Sequence, residues 1–176
     1  MDMIRCAEFS EDEKYRFWLS RAWEPQDAAK PLMGLVGKNP SYANQEEDDP
    51  TIIREIALAK REGCRGLVKV NLFDYVATKS QDLVALTDAE RSSEQNSVDR
   101  IVAILRAHGC HPIVCCWGTH KKRLFQRSIL QRGEMVRLKL VEAGIEPKCL
   151  DINKDRSPRH PLYLPADLEL KPYFGV

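Results

Sequence analysis

The fold class of this chain is decided by the stretch Leu32-Met33-Gly34-Leu35-Val36-Gly37-Lys38-Asn39-Pro40-Ser41. Its first five residues form an apolar run, which is typical of a strand that is buried on both faces of a sheet. The run then breaks into glycine, asparagine, proline and serine, which favour a loop. In an open parallel sheet, ligands bind outside the carboxyl ends of the strands, where such loops meet. We therefore expect the carboxamide of Asn39 to lie at a ligand-binding edge of a sheet.

Similar apolar segments alternate with helical patterns along the chain. Strands are predicted over residues 66–73, 112–118 and 147–152, in addition to residues 32–36. Helices are predicted after Asp49, over residues 93–108 and over residues 119–144. At 176 residues the chain is long enough for one well-buried domain and short for two. The alternation predicts a single α/β domain over residues 1–176, with three layers and a four-stranded parallel sheet flanked by helices.

Local signals mark several helix ends. Asp49 is a good N-cap before Pro50, and Gly63 is a fitting stop for that helix. Ser10 with Glu13 matches a capping box, so an amphipathic helix is predicted over residues 10–23. Residues 74–90 are predicted to form a long loop with one helical turn, and Gly133 leaves an interruption of the helix over residues 119–144 open.

Composition narrows the function classes. The net charge is +1, so the overall charge does not point to nucleic acid or to a membrane. Residues 120–139, however, contain seven Lys or Arg and the single acid Glu134. That run is either a solvated helix face or a contact surface for a phosphate backbone.

The six cysteines show none of the spacings of a zinc site or a cluster. No apolar stretch approaches the roughly twenty residues that span a bilayer, and residues 1–13 lack the apolar centre of a signal peptide. We expect a cytoplasmic monomer without metal, cofactor or membrane partner. Walker, GxGxxG, GxSxG and zinc-deaminase motifs are absent as well, which disfavours the enzyme classes that carry them.

Three polar residues are candidates for a site. Asn39 follows the first predicted strand and Asn71 ends the second, while His160 lies between Arg159 and a proline in the tail. Each has an ordinary explanation: an Asx turn for Asn39, loose backbone groups satisfied by Asn71, and a surface position for His160. Two asparagines at neighbouring strand ends favour a shared site, to which the fourth strand would bring His160.

Several motifs together resemble an uncharacterised-domain family of bacterial and phage proteins, and they span nearly the whole chain. These motifs are Tyr15-Arg16-Phe17-Trp18-Leu19-Ser20-Arg21-Ala22-Trp23, Gly37-x-Asn39-Pro40-Ser41, Asp48-Asp49-Pro50-Thr51, Val70-Asn71-Leu72-Phe73, Trp117-Gly118 and Arg159-His160-Pro161-Leu162-Tyr163-Leu164. That family carries no function in its name.

More distantly, the same landmarks resemble the uracil-DNA glycosylase superfamily. Gly37-x-Asn39-Pro40 matches its first motif in the asparagine form of the mismatch-specific branch. A strand ending in asparagine, as at Asn71, and a strand ending in Trp-Gly are also shared. His160-Pro161-Leu162 matches the last motif only loosely. The resemblance implies a uracil-DNA glycosylase-like fold and a DNA partner.

The resemblance also implies roles for particular residues. Asn39 would hold the attacking water and His160 would stabilise the leaving base, so these two are the predicted catalytic residues. The predicted base-binding residues are Asn71, Phe73 and Lys38. The predicted DNA-binding residues are Ser41, Lys121, Lys122, Arg123, Arg159 and Leu162, of which Leu162 would wedge into the stack from which the base is flipped.

The predicted activity is that of a monofunctional DNA glycosylase, which hydrolyses an N-glycosidic bond and leaves an abasic site. Because asparagine is a poor base, weak activity on plain uracil is expected, and a modified pyrimidine such as a glucosylated hydroxymethylcytosine of phage DNA is the favoured substrate. The biological setting would be repair or anti-phage defence. Two alternatives remain open: a nucleic-acid-binding or sensing module without catalysis, and an N-glycosidase that acts on free nucleotides.

Overall fold

The computed structural model of the chain describes residues 2–25, 29–79 and 81–175. Its strands are β1 (Ile4–Phe9), β2 (Arg16–Ala22), β3 (Leu32–Gly37), β4 (Gly66–Asn71), β5 (Cys110–Cys115), β6 (Lys148–Cys149) and β7 (Lys171–Pro172). They form one seven-stranded mixed sheet in the order β1-β2-β4-β3-β5-β6-β7. The apolar run that begins at Leu32 forms β3 at the centre of this sheet, as predicted, and every residue of β3 is buried.

The prediction of a four-stranded parallel sheet is wrong, although the single α/β domain flanked by helices is confirmed. The four predicted strands correspond to β3, β4, β5 and β6, which pair in parallel. β1 and β2 add an antiparallel pair at one side, and β7 adds an antiparallel strand at the other. Antiparallel neighbours need no crossover helix, so these strands do not produce the strand–helix alternation from which the sheet was predicted.

The helix predicted over residues 10–23 is also wrong. Ser10 forms the turn between β1 and β2: its hydroxyl accepts a hydrogen bond from the Tyr15 N–H at 3.1 Å and donates one to Asp12 at 2.8 Å. β2 pairs antiparallel with β4 along its far edge, with Leu19 opposite Lys69. The aromatic residues of this segment suit a strand as well as a helix, and pairing with a distant strand decides between them.

The helices cover both faces of the sheet. They are α1 (Pro50–Arg61), α2 (Asp88–Arg91), α3 (Val98–Ala107) and α4 (Arg123–Glu142). Residues of α1 pack on one face, and residues of α3 and α4 pack on the other. The cap predicted at Asp49 is present, because its carboxylate accepts from the Ile52 N–H at 2.8 Å. α4 runs through Gly133 without interruption.

Residues 74–90 contain more structure than the predicted loop. A 3₁₀ turn covers Asp82–Ala85 and α2 begins at Asp88, while residue 80 lies outside the described residues. None of the helices in the described ranges is both long and apolar enough to cross a membrane. The carboxyl ends of β3, β4 and β5 lie at the same edge of the sheet as the amino end of α1, and this edge carries the main cleft.

Candidate functional site

The cleft has a volume of about 560 Å³. It lies between the ends of β3, β4 and β5, the amino end of α1 and the segment over residues 153–163. A volume of roughly 300–1,000 Å³ is usual for small-molecule sites, so the cleft has room for a nucleotide or for a base that carries a large substituent. The residues of the predicted site that line it are Lys38, Asn39, Ser41, Arg159, His160 and Leu162.

Asn39 lies in the loop after β3 with its amide held in one orientation. The side-chain N–H₂ group donates to the carbonyl oxygen of Pro40 at 2.8 Å and to that of Ala77 at 2.9 Å. Both donors are therefore used by the backbone. The carbonyl oxygen of the carboxamide is left as an acceptor, which suits it to hold a water molecule by one of its protons.

His160 faces the same cleft from a short 3₁₀ turn, Pro161–Tyr163. Its Nδ1 accepts a hydrogen bond from the Leu162 N–H at 3.3 Å. Burial, with the charges of Lys69 and Lys38, lowers the pKa of His160 to about 3. The ring is therefore neutral near pH 7, and with Nδ1 as an acceptor the proton is carried by Nε2, which can donate a hydrogen bond.

Gly118 fixes the position of His160. It has a φ of +70°, a conformation that favours glycine, and its N–H donates to the Pro158 carbonyl at 2.9 Å. A Cβ at this position would lie 3.3 Å from the Cβ of His160. The Trp-Gly end of the third predicted strand thus brings the tail close to the end of β5.

Asn71 lies behind Gly37 rather than on the wall of the cleft. The two residues are register partners on β4 and β3, and a Cβ on Gly37 would lie only 2.7 Å from Asn71 Oδ1. The Asn71 side chain is buried, and neither its oxygen nor its nitrogen has a hydrogen-bond partner. An unsatisfied buried polar group costs about 1–3 kcal/mol, which makes this amide a candidate for pairing with a polar ligand.

Phe73 is not placed at the cleft. It is buried in the core on the side of α3 and α4, with its ring centroid 5.6 Å from that of Phe125. The guanidinium of Arg132 lies over the same ring at 5.7 Å. The backbone N–H of Phe73 donates to the Lys38 carbonyl at 2.9 Å, but its side chain points into the core and away from the cleft.

The predicted cations fall into two groups. Lys38 and Arg159 line the cleft: Lys38 donates to the Thr119 carbonyl at 3.0 Å, and Arg159 pairs with Asp151 at 3.2 Å. Burial lowers the pKa of Lys38 to about 8. The second group is exposed at the amino end of α4, a few residues beyond Thr119, which also lines the cleft, and its members are Lys121, Lys122 and Arg123.

Sequence reasoning missed two charged residues of the cleft. Arg16 of β2 is almost fully buried, and burial lowers the pKa of its guanidinium to about 10 although Asp49 and Glu55 oppose that shift. Lys69 of β4 lies at the floor of the cleft and pairs with Glu55 of α1. The available signal was a lysine inside the apolar run over residues 66–73, since a buried strand seldom carries an unpaired charge.

The described part of the chain contains no cluster of side chains that could form a metal site. Within residues 2–25, 29–79 and 81–175, no three His, Cys, Asp or Glu side chains come together in a way that could hold a metal ion. Asp48 and Asp49, which are adjacent in sequence, face different partners. Asp48 pairs with Arg5 at 2.8 Å and with Arg21 at 2.7 Å, whereas Asp49 caps α1.

Comparison with known proteins identifies a family for this chain. The model of a family described as "Protein of unknown function (DUF1643)" matches residues 16–162. No curated protein and no solved structure matches the chain. The matched range contains Asn39, Lys69, Asn71 and His160, and all residues that line the cleft except Tyr163 lie within it.

Proposed function

We propose a function for this chain, which belongs to the DUF1643 family of proteins of unknown function, from the chemistry of its cleft. A hydrogen-bond acceptor at Asn39 and a neutral donor at His160 line the same cavity, and the unpaired amide of Asn71 lies behind Gly37. Hydrolysis of an N-glycosidic bond requires these three elements: a positioned water, a donor for the leaving base and a group that reads the base. The proposed activity is that of a DNA glycosylase that acts on a modified pyrimidine.

The residues have separate roles in the proposed reaction. The Asn39 oxygen orients a water molecule toward C1′ of the deoxyribose. The C1′–N bond breaks and its electron pair leaves with the base, while Nε2–H of His160 donates a hydrogen bond to the negative charge that develops there. The water gives its hydroxyl to C1′ and its remaining proton neutralises the released base, so the products are an abasic site and the free base.

Several features of the described residues support DNA rather than a free nucleotide as the substrate. Lys121, Lys122 and Arg123 are exposed next to the cleft, where they can contact phosphates on either side of a flipped nucleotide. Leu162 is 36% exposed at the cleft and Tyr163 beside it is 78% exposed. Apolar side chains at such a rim can fill the gap that a flipped base leaves in the stack.

The first prediction concerns Asn39→Ala. DNA oligonucleotides carrying modified pyrimidines, including glucosylated hydroxymethylcytosine, are incubated with excess protein, and abasic sites are detected by alkaline cleavage. The wild type is expected to release the base from at least one of them, and Asn39→Ala is expected to lose this activity while binding DNA with unchanged affinity. Asn44→Ala is the matched control, because its carboxamide oxygen accepts from the N–H groups of Glu46 and Glu47 in a turn and Asn44 does not line the cleft.

The proposal fails if no base is released, and further measurements then separate the alternatives. If the wild type releases no base from the modified DNAs at high excess, the glycosylase function fails. Salt-sensitive DNA binding without any base release would favour the binding module, and turnover of free nucleotides without DNA binding would favour a free-nucleotide N-glycosidase.

A further inference from the structure

A buried ion pair lies at the floor of the cleft. The ammonium of Lys69 on β4 pairs with the carboxylate of Glu55 on α1, and the two side chains are 6% and 0% exposed. Removing two charges from water costs about as much as their attraction returns, so such a pair adds little to stability. Its position in a cleft favours a role in binding or chemistry.

The Lys69 ammonium has hydrogen-bonding capacity to spare. It carries three N–H bonds, and within the described residues its acceptor is the Glu55 carboxylate. Lys69 and Gly37 both line the cleft, and a Cβ on Gly37 would lie 3.4 Å from Lys69 Nζ. The remaining two N–H bonds can therefore be donated to a molecule bound beside Gly37.

Asn71 lies two residues further along β4, on the same face of the sheet as Lys69. The space that a side chain at Gly37 would fill is bordered by both: a Cβ there would lie 2.7 Å from Asn71 Oδ1 and 3.0 Å from Lys69 Cε. These distances are too short for any side chain at Gly37, so Asn71 and Lys69 both pack directly against the glycine. A base that reaches the unpaired amide of Asn71 must also come close to the Lys69 ammonium.

We propose that Lys69 is a further catalytic residue, whose ammonium, held by Glu55, stabilises the negative charge on the base that Asn71 reads. This role rests on the proposed glycosylase function and narrows its substrate class. When the C1′–N bond breaks, the electron pair remains on the base, and Lys69 donates a hydrogen bond to a carbonyl oxygen over which that charge spreads. Bases that leave as anions, such as pyrimidines, are favoured, whereas purines that leave after protonation are disfavoured by the adjacent cation.

The charges that face His160 are consistent with separate roles for His160 and Lys69. Lys69 from β4 and Lys38 from the loop after β3 both lower the pKa of His160, in addition to its burial. His160 therefore contributes a neutral N–H, and Lys69 contributes the positive charge. Glu55 beneath Lys69 and Asp49 at the start of α1 are the acids on the helix that borders this part of the cleft.

The test uses a variant in which both charges are removed, Lys69→Met with Glu55→Met, because Lys69→Met alone would leave a buried carboxylate unpaired. Single-turnover excision is measured on two oligonucleotides that differ only in the base, uracil or 5-fluorouracil. Fluorine withdraws electrons, so 5-fluorouracil is the better leaving group and needs less stabilisation. Lys69→Arg, which keeps the charge, serves as the rescue variant.

The double variant is expected to excise uracil about 100-fold more slowly than the wild type, which is the usual loss when one donor to a developing anion is removed. It is expected to excise 5-fluorouracil only about tenfold more slowly. DNA affinity should stay within about threefold, since the donor acts mainly in the transition state. The matched control is Arg137→Met with Glu134→Gln, which removes a partly buried pair on α4 and should leave the excision rate of both bases unchanged.

A second readout does not depend on catalysis. The pKa of His160 is measured by NMR titration of its imidazole protons, and it is expected to rise in the double variant because a facing cation has been removed. Equal slowing on both bases, or an unchanged pKa of His160, would overturn the role of Lys69. If the wild type excises a modified pyrimidine but neither of these two bases, the role of Lys69 fails while the glycosylase function stands. If it excises no pyrimidine at all, the glycosylase function itself fails and the role of Lys69 fails with it.

Discussion

Replacement of Gly133 by alanine is expected to destabilise the fold, although alanine is the better helix former. Gly133 lies inside α4, where alanine alone would gain about 1 kcal/mol. Its Cβ, however, would lie 2.6 Å and 2.7 Å from Cζ2 and Cε2 of Trp117. Carbon atoms pack at about 3.5–4.0 Å, so the helix or the indole must move.

The indole has little freedom to move. Trp117 is 1% exposed, and its ring packs edge-on against Tyr173 with centroids 5.6 Å apart. Overpacking a closely packed core costs about 1–3 kcal/mol, which exceeds the gain in helix propensity over most of that range. We expect Gly133→Ala to lower the free energy of unfolding by about 1 kcal/mol, measured by urea titration followed by circular dichroism.

A double-mutant cycle separates the two effects. In a Trp117→Phe background the ring atoms that meet the new methyl group are gone, so Gly133→Ala should instead stabilise the protein by about 1 kcal/mol through helix propensity. The reasoning is refuted if Gly133→Ala raises the free energy of unfolding equally in both backgrounds.

Two further predictions concern charge. Because the pKa of His160 is lowered to about 3, the imidazole takes up a proton less readily in the folded protein than in the unfolded chain. The contribution of this difference to the free energy of unfolding is complete above about pH 6.5 and falls as the pH drops toward 3. His160→Gln should therefore lose less unfolding free energy than the wild type between pH 7 and about pH 4.5, and equal losses in urea titrations would contradict this. Replacing Lys121, Lys122 and Arg123 by alanine should weaken DNA binding and reduce the slope of log K against log salt by about 0.7–0.9 per lost phosphate contact, measured by fluorescence anisotropy. Lys139→Ala, near the other end of α4, should leave that slope unchanged, and an unchanged slope in the triple variant would count against the proposed DNA surface.

Local signals in the sequence predicted the centre of the fold, and long-range pairing decided its edges. The apolar run of β3 and the Asp49-Pro50 cap of α1 depend on residues within a few positions, so both could be predicted. β2 could not, because its helical pattern is overruled by hydrogen bonds to β4, nearly fifty residues later in the chain. The sequence leaves a break in α4 at Gly133 open because it does not show what the glycine is needed for. Its missing side chain makes room for the indole of Trp117, just beyond β5.

The same distinction applies to the cleft. Asn39 and His160 could be assigned to one edge because parallel strands end together. Phe73 could not be placed, because the strand ends at Asn71 and the alternation of side chains ends with it; the Phe73 side chain then enters the core beside Phe125. Lys69 was missed because a single lysine within an apolar run does not reveal its partner, Glu55 on α1.

The buried polar atoms of the structure are distributed unevenly. Within the described residues, the buried side-chain nitrogen and oxygen atoms without a partner belong to Arg16, Glu55, Asn71, Ser92 and Trp117. Arg16 lines the cleft, Glu55 holds Lys69 at its floor, and Asn71 lies behind Gly37. The indole nitrogen of Trp117 lies beside Gly133 of α4, and Ser92 lies at the end of α2. Each such atom lowers the free energy of unfolding, so selection for stability alone would leave few of them without a partner. The three residues at the cleft are accounted for if a polar ligand enters it, as the proposed flipped base would.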